Sequence, residues 1–277
     1  MKIALIGATG NAGSRILAEL SRRGHSVTAI ARHPEKVPAL PDVTAAKGDA
    51  DDVSGLAAIL KGHDVVISSV HFTASDPHKL IAAVHAAGAA RYLVVGGAGS
   101  LEVAPGVKLI DTPEFPAIYK AEAAAGGVFL DLLRQETKLD WTFLSPSALF
   151  VPGERTGKFR LGGNQLLSSE KGSSISFEDY AIALADEIEK PAHSRQRFTV
   201  GYRERRAAFG HTRFRIETRC KCPALCPNGD LGCGPVPQPF SQPICDPATC
   251  SSPAAGSSPS SQAWRPCQGY RPFGLPA

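Results

Sequence analysis

Three glycines at positions 7, 10 and 13, directly after the apolar run at residues 2–6, constrain this chain more than any other feature. The segment reads Gly7-Ala8-Thr9-Gly10-Asn11-Ala12-Gly13, and it opens a pattern in which Ile16, Leu17 and Leu20 share one helical face. A glycine spacing alone is a weak signal, but a strand–turn–helix setting gives it a mechanism. Gly7 permits a tight turn, Gly10 lets backbone approach a pyrophosphate, and Gly13 lets the helix pack closely on the sheet. Thr9, Asn11 and Ala12 complete the turn, and the helix N-terminus offers amides and a positive dipole end to phosphate oxygens. The plainer alternative is a glycine turn that binds nothing.

The residues that follow alternate strand and helix signals with short connections, the pattern of a parallel α/β sheet. Short apolar runs of strands buried on both faces stand at 26–31, 64–68, 91–95 and 141–144, with a weaker one at 43–47. Helical patterns cover 12–23, 52–60, 77–87 and 117–134. A late helix is expected over 176–190, where Ser176 and Asp179 have the spacing of a capping box, and a last strand over 197–201. No internal repeat interrupts the series. The expected fold class is α/β: a Rossmann-type doubly wound parallel sheet with helices on both faces, followed by a disordered C-terminal tail.

The residue closing the second strand decides which dinucleotide fits. An NAD site places Asp or Glu there to bind the ribose 2′-hydroxyl. This chain reads Ala29-Ile30-Ala31-Arg32-His33. Arg32 can pair with a 2′-phosphate that a carboxylate would repel. The expected cofactor is therefore NADPH, with NADH possible. The competing reading of Arg32 is a solvated loop arginine.

Composition splits the chain near Tyr202. Residues 1–202 carry 21 Lys+Arg against 22 Asp+Glu and no cysteine, whereas 203–277 carry nine basic and four acidic residues, all seven cysteines and 12 of the 22 prolines. The basic balance thus belongs to the tail and argues for no nucleic-acid partner. No apolar run is long enough for a membrane helix, and residues 2–6 are too short for a signal-peptide core. The expectation is a cytoplasmic protein without a membrane partner. His25, His63, His78 and His85 show no ligand spacing, so no metal site is expected in residues 1–202. Beyond residue 202 no helical or strand period persists, and such a stretch buries too little apolar surface to offset its ordering entropy. Seven irregularly spread cysteines fit neither a zinc module nor a disulfide framework. The composition is that of a GC-rich gene read out of frame. Removing 203–277 is expected to leave melting temperature and NADPH affinity unchanged within error, which paired melting and titration curves would check.

The glycine turn, Gly48-Asp49-Ala50-Asp51-Asp52 and Val95-Gly96-Gly97-Ala98-Gly99-Ser100-Leu101 resemble an atypical short-chain dehydrogenase of the NADH-flavin reductase/NmrA-like NAD(P)-binding family, related to biliverdin reductase B. Segments 140–146 (Asp-Trp-Thr-Phe-Leu-Ser-Pro) and 152–160 are similar to its later motifs, so the resemblance covers 1–202. It implies a seven- or eight-stranded sheet, a family that ends near Gly201-Tyr202, and hydride transfer from NAD(P)H to a small planar acceptor: a flavin (FMN or FAD as substrate), a quinone or a similar molecule. By position, Asp49 and Ala50 would meet the adenine, and Ser68, Ser69 and Val70 the strand exit near the inner ribose. Gly97 and Ala98 would lie by the nicotinamide ribose, and Ser145 and Pro146 by the nicotinamide amide. Asp49 reads equally as a helix cap, and Ser68 and Ser69 as strand-end hydroxyls.

One departure limits the chemistry. None of the five tyrosines has Lys four positions on, so the superfamily's Tyr-x-x-x-Lys acid is missing. Ketone reduction is disfavoured, whereas the delocalised anion of a reduced flavin or quinone can take its proton from solvent. Lys120, with Tyr119 beside it, stands near the superfamily lysine's place and is the catalytic candidate, or else a plain helix residue. His71, Phe72 and Phe150 are candidates to frame the acceptor, and Arg155, in a basic loop with Lys158 and Arg160, to receive an anionic one. Loop packing and a solvated face are the competing readings. Rival functions are an NmrA-like NADP(H) sensor without turnover and an epimerase or dehydratase. The expected assembly is a monomer or homodimer.

Overall fold

The computed structural model describes residues 1–202. The expectations for 203–277, disorder and the cysteine arrangement, lie outside the described residues.

The chain runs β1 (Lys2–Ile6), α1 (Asn11–Arg22), β2 (Ser26–Ala31), β3 (Val43–Lys47), α2 (Val53–Leu60), β4 (Val65–Ser68), α3 (Pro77–Ala87) and β5 (Arg91–Val95). A short hairpin, β6 (Glu102–Ala104) and β7 (Val107–Lys108), precedes α4 (Lys120–Gln135). Then come β8 (Asp140–Ser145), β9 (Leu149–Val151), β10 (Arg160–Gly162), β11 (Ser174–Ser176), α5 (Phe177–Glu189) and β12 (Gln196–Gly201). The eight-stranded sheet has the order β10-β12-β8-β5-β4-β1-β2-β3. Its strands are parallel except β10, which pairs antiparallel with β12 through Arg160 and Gly201. From β1 the chain winds outward to β3, crosses back to β4, and winds the other way. The crevice between β1 and β4 is the switch point where such sheets bind ligands, at the strands' carboxyl ends.

Alternation along the strands divides the core between the two faces. Ile3 and Leu5 pack with Ile16, Leu17 and Leu20 of α1 and with Tyr180, Leu184 and Ile188 of α5. Ala4 and Ile6 belong to the opposite layer with Leu56, Leu80, Val84, Phe129 and Leu133. The expected helix face at Ile16, Leu17 and Leu20 is thus buried, each at 1% exposure or less. No helix among the described residues is long and apolar enough to cross a membrane.

Helix starts differ in one informative way. Asp52 accepts from Gly55 N (3.0 Å), Asp76 from His78 N (2.8 Å) and Ser176 from Asp179 N (3.0 Å), capping α2, α3 and α5. The α1 helix begins at Gly10 and α4 at Tyr119 with no side-chain cap. The amides that open α1 therefore stay available to a ligand. The helix expected from residue 117 begins at Lys120, because 117–119 form a separate 3₁₀ turn.

Candidate cofactor and acceptor site

The glycine turn is built as its spacing requires, each glycine for its own reason. Gly7 has φ +83°, and its N–H donates to Ile30 O (2.9 Å), tying the turn to the end of β2. A Cβ on Gly7 would lie 2.1 Å from Ser69 O, and one on Gly13 would lie 2.1 Å from Gly7 O. Both glycines are thus demanded by the protein's own packing. Gly10 is not: its φ of −71° and ψ of 169° suit any residue, and a Cβ would approach nothing nearer than Gly7 O at 3.4 Å. What a side chain at Gly10 would fill is the space in front of the uncapped helix. That opening fits a dinucleotide pyrophosphate.

Arg32 is exposed two residues beyond Ile30, whose carbonyl also accepts from Ala8 N (3.3 Å). Arg32 thus leaves the end of β2 just past the backbone hydrogen bonds that tie this strand to the glycine turn. The next loop starts as Gly48 N donates to Ala31 O (3.1 Å). Asp49 accepts from Asp51 N (3.1 Å) and shapes that loop, while the helix cap is Asp52. Ala50 is partly buried beside the α2 layer.

Ser69 and Val70 leave β4 packed against Gly7, with Val70 Cγ1 3.1 Å from the position of a Cβ there. Ser68 is different. It is 1% exposed and its Oγ accepts from Tyr92 O–H at 2.9 Å, so its hydroxyl braces β5 inside the sheet. Its assignment as a ribose contact is corrected on that ground. Gly97 and Ala98 are half-buried at the exit of β5. A Cβ on Gly97 would meet only Phe72 Cε2, at 3.7 Å, whereas neighbouring Gly96 and Gly99 are filled by Phe143 and Ala123. Ser145 ends β8 fully buried, and its Oγ has no hydrogen-bond partner. Alternation puts that hydroxyl on the face of Phe143, toward α4. Fully buried, that hydroxyl presents no surface to a ligand in this arrangement. Pro146 follows it, also buried.

Three acceptor assignments change. Phe72 packs edge-on to Phe129 (5.8 Å) and parallel to Phe143 (6.3 Å), and lies where a Cβ on Gly126 would stand 2.9 Å from its ring. Phe150 packs on Phe177 (4.4 Å) and Tyr180 (4.7 Å). Both are half-buried and pack against opposite core layers. Arg155 is clamped onto Glu19 of α1 through Nε (2.9 Å) and Nη2 (3.1 Å), and Arg160 donates to Ser168 O (2.6 Å). The basic loop is therefore largely spent on the protein itself. Tyr119 and Lys120 remain exposed at the start of α4. His71 is exposed at the mouth, its Nδ1 3.4 Å from Glu122 Oε1.

Glu122 itself was absent from the sequence reading. Its Oε1 accepts from Phe72 N (2.7 Å) and its Oε2 from Thr73 N (3.0 Å) and Thr73 Oγ1 (2.6 Å). Burial opposes its charge, but the Thr73 and Phe72 hydrogen bonds hold its carboxyl below the usual range. Only its place in the first turn of a helix could have drawn attention to it.

A parallel sheet, an open glycine turn at its switch point and an arginine at the end of β2 together define an NAD(P)H-binding Rossmann protein. The chain belongs to the NAD(P)H-binding family, whose model it matches over residues 7–191. It is 43% identical to the uncharacterized protein YwnB of Bacillus subtilis (strain 168) over 209 residues, 72% of this chain and 98% of that one. Among solved structures it resembles a candidate exported protein from Burkholderia pseudomallei (48% identity, TM-score 0.67, 73% of this chain and 100% of that one). It also resembles a candidate epimerase from Bacteroides thetaiotaomicron (42%, TM-score 0.70, covering 73% and 97%). A third is a candidate NADH-flavin reductase from Streptococcus pneumoniae TIGR4 (40%, TM-score 0.65, covering 73% and 100%).

Proposed function

We propose that the chain is an NADPH-dependent reductase of a small planar acceptor, a quinone or flavin. The observation that carries this reading is the glycine at position 10, which the protein's own packing does not need, in front of the uncapped α1, with the exposed Arg32 just past the end of β2. When bound, NADPH supplies a hydride from C4 of its nicotinamide. The chain's share is placement. The amides opening α1 and Arg32 hold the phosphates, and Gly97 admits the nicotinamide-side ribose. Holding donor and acceptor in register supplies most of the rate in such a step. The absence of Tyr-x-x-x-Lys supports an acceptor whose reduced form delocalises its charge. The Streptococcus relative's name points the same way.

A second reading comes from the Bacteroides relative named as an epimerase, in which a hydride is removed and returned at one carbon. That chemistry needs a base at a carbinol, and the missing Tyr-x-x-x-Lys leaves this chain without the superfamily's usual one. A sensor that binds NADP(H) without turnover is the third. NADPH oxidation across quinones, riboflavin, FMN and biliverdin separates them: turnover with a quinone or flavin supports the reductase, and tight NADPH binding without any turnover supports the sensor.

Cofactor choice has its own test. Arg32→Ala should weaken NADPH by about 1–3 kcal/mol through loss of a charge-assisted contact, with NADH nearly unaffected. Equal losses for the two dinucleotides in paired titrations would remove Arg32 from the 2′-phosphate site.

A further inference from the structure

We infer that His71, whose Nδ1 lies 3.4 Å from Glu122 Oε1, is the proton donor to the reduced acceptor. This rests on the reductase reading and deepens it, because solvent alone was expected to supply that proton.

The placement follows from the residues on either side. Val70 packs on Gly7 at the switch point, and Phe72 lies against Gly97 at the exit of β5. The turn that carries His71 therefore spans the crevice from the pyrophosphate loop to the nicotinamide end. Glu122 fixes that turn through three hydrogen bonds to Phe72 and Thr73, and His71 O accepts from Ser75 Oγ (2.9 Å). The same carboxylate faces His71 Nδ1. Nε2 is left pointing away from its only carboxylate neighbour within 4.0 Å among the described residues, on a side chain 84% exposed. With the carboxylate on the Nδ1 side, Nε2 is the ring nitrogen left to donate outward. Two other elements bring charge nearby. The start of α4 carries Tyr119 and Lys120, and the start of α3 carries Asp76, whose carboxylate is occupied with capping at His78 N (2.8 Å).

The step balances. Hydride arrival gives the acceptor two electrons and one proton, leaving one negative charge on a quinone or flavin oxygen or nitrogen. The Nε2–H bond of His71 breaks, its proton joins that atom, and neutral imidazole regains a proton from water. Donor activity requires the protonated ring.

The experiment measures NADPH-dependent reduction of 1,4-naphthoquinone and of riboflavin against pH, for the unaltered chain, His71→Gln and Glu122→Gln, with NADPH affinity titrated separately. His71→Gln should lower kcat about 10²-fold, the low end for a general acid, with NADPH affinity unchanged. Added imidazole should restore part of the rate. Glu122→Gln should lower kcat while leaving NADPH affinity and the KM for 1,4-naphthoquinone unchanged, a split that a purely structural role for Glu122 would not produce. If His71→Gln keeps the unaltered kcat and pH profile, the assignment is overturned and the reductase reading stands. If the unaltered chain binds NADPH and reduces neither acceptor, both fall.

Discussion

Gly10→Val is expected to abolish NADPH binding while leaving the chain folded. The backbone at Gly10 is already extended, with φ −71° and ψ 169°, a region a β-branched residue adopts without strain. The nearest protein atoms to a new Cβ are Gly7 O at 3.4 Å and Ser69 O at 3.9 Å, so the protein itself accommodates the branch. Losing a glycine N-cap to valine costs a few tenths of a kcal/mol to about 1 kcal/mol. The methyls enter the space in front of the α1 amides, where phosphate oxygens must come within about 3 Å of nitrogen. Affinity should fall by more than about 10²-fold, the equivalent of two or more charge-assisted hydrogen bonds. Gly13→Ala makes the informative contrast, because its Cβ would lie 2.1 Å from Gly7 O and 3.3 Å from Ala8 Cα. That variant should lose thermal stability first and binding only as a consequence. Circular dichroism with a fluorescence titration distinguishes the two. A folded Gly10→Val chain that still binds NADPH normally would remove the pyrophosphate from this turn.

The same contrast explains what could be read from the sequence. Strands such as β1 and β5 are five-residue runs buried on both faces, and α1 carries a clean apolar stripe, so their types and nearly all their bounds follow from hydrophobic spacing. The strands β6, β7, β9, β10 and β11 have two or three residues each, too few to show any period. Where β10 pairs is settled by the loop before it. That loop is held by Asp179, which accepts from Thr156 N (2.7 Å) and Gly157 N (2.8 Å), and by Glu178, which accepts from Gly153 N (2.9 Å). The site divides along the same line. The glycine turn is a local device and was legible. Arg155 was not, because a charge on a loop does not reveal that its partner lies on α1, 136 residues earlier. Phe72 and Phe150 mark the same limit, since an aromatic beside a motif looks alike whether it lines a cleft or a core.

Replacing Glu19 by glutamine is expected to produce the largest loss of stability from a single charge. Glu19 is 4% exposed on α1 and holds three guanidiniums. Arg23 Nε approaches at 2.8 Å, Arg155 binds through Nε and Nη2, and Arg22 Nε donates at 3.1 Å. Arg23 extends the cluster to α5 through Asp186 (2.8 Å) and Glu189 (3.0 Å). Burial alone would raise the Glu19 pKa, but hydrogen bonds from Arg155, Arg22 and Arg23 outweigh it and set it at about 2. The folded state thus binds this proton less tightly than the unfolded chain. Its contribution is complete above pH 4.5 and is lost as pH falls toward about 2. A shift of this size corresponds to about 3 kcal/mol, reduced to about 2 by solvent around Arg22 and Arg155. Glutamine keeps the shape and one acceptor oxygen but takes the carboxylate from Arg22 and Arg155, while Arg23 keeps Asp186 and Glu189, so a loss of about 2–3 kcal/mol is expected, or roughly 4–12 °C in Tm for a domain of this size. The acid limb of stability between pH 4.5 and about 2 should become shallower in the variant, because Glu19 no longer titrates there, and what remains belongs to other lowered carboxyls such as Glu136. Release of Arg155 should also expose the loop to trypsin at Arg155 and Lys158. NADPH affinity per folded molecule should not change, since Glu19 lies six residues, about 9 Å, along α1 from Gly13. Acid-unfolding curves that coincide for the two chains would show that the three arginines do not depend on Glu19.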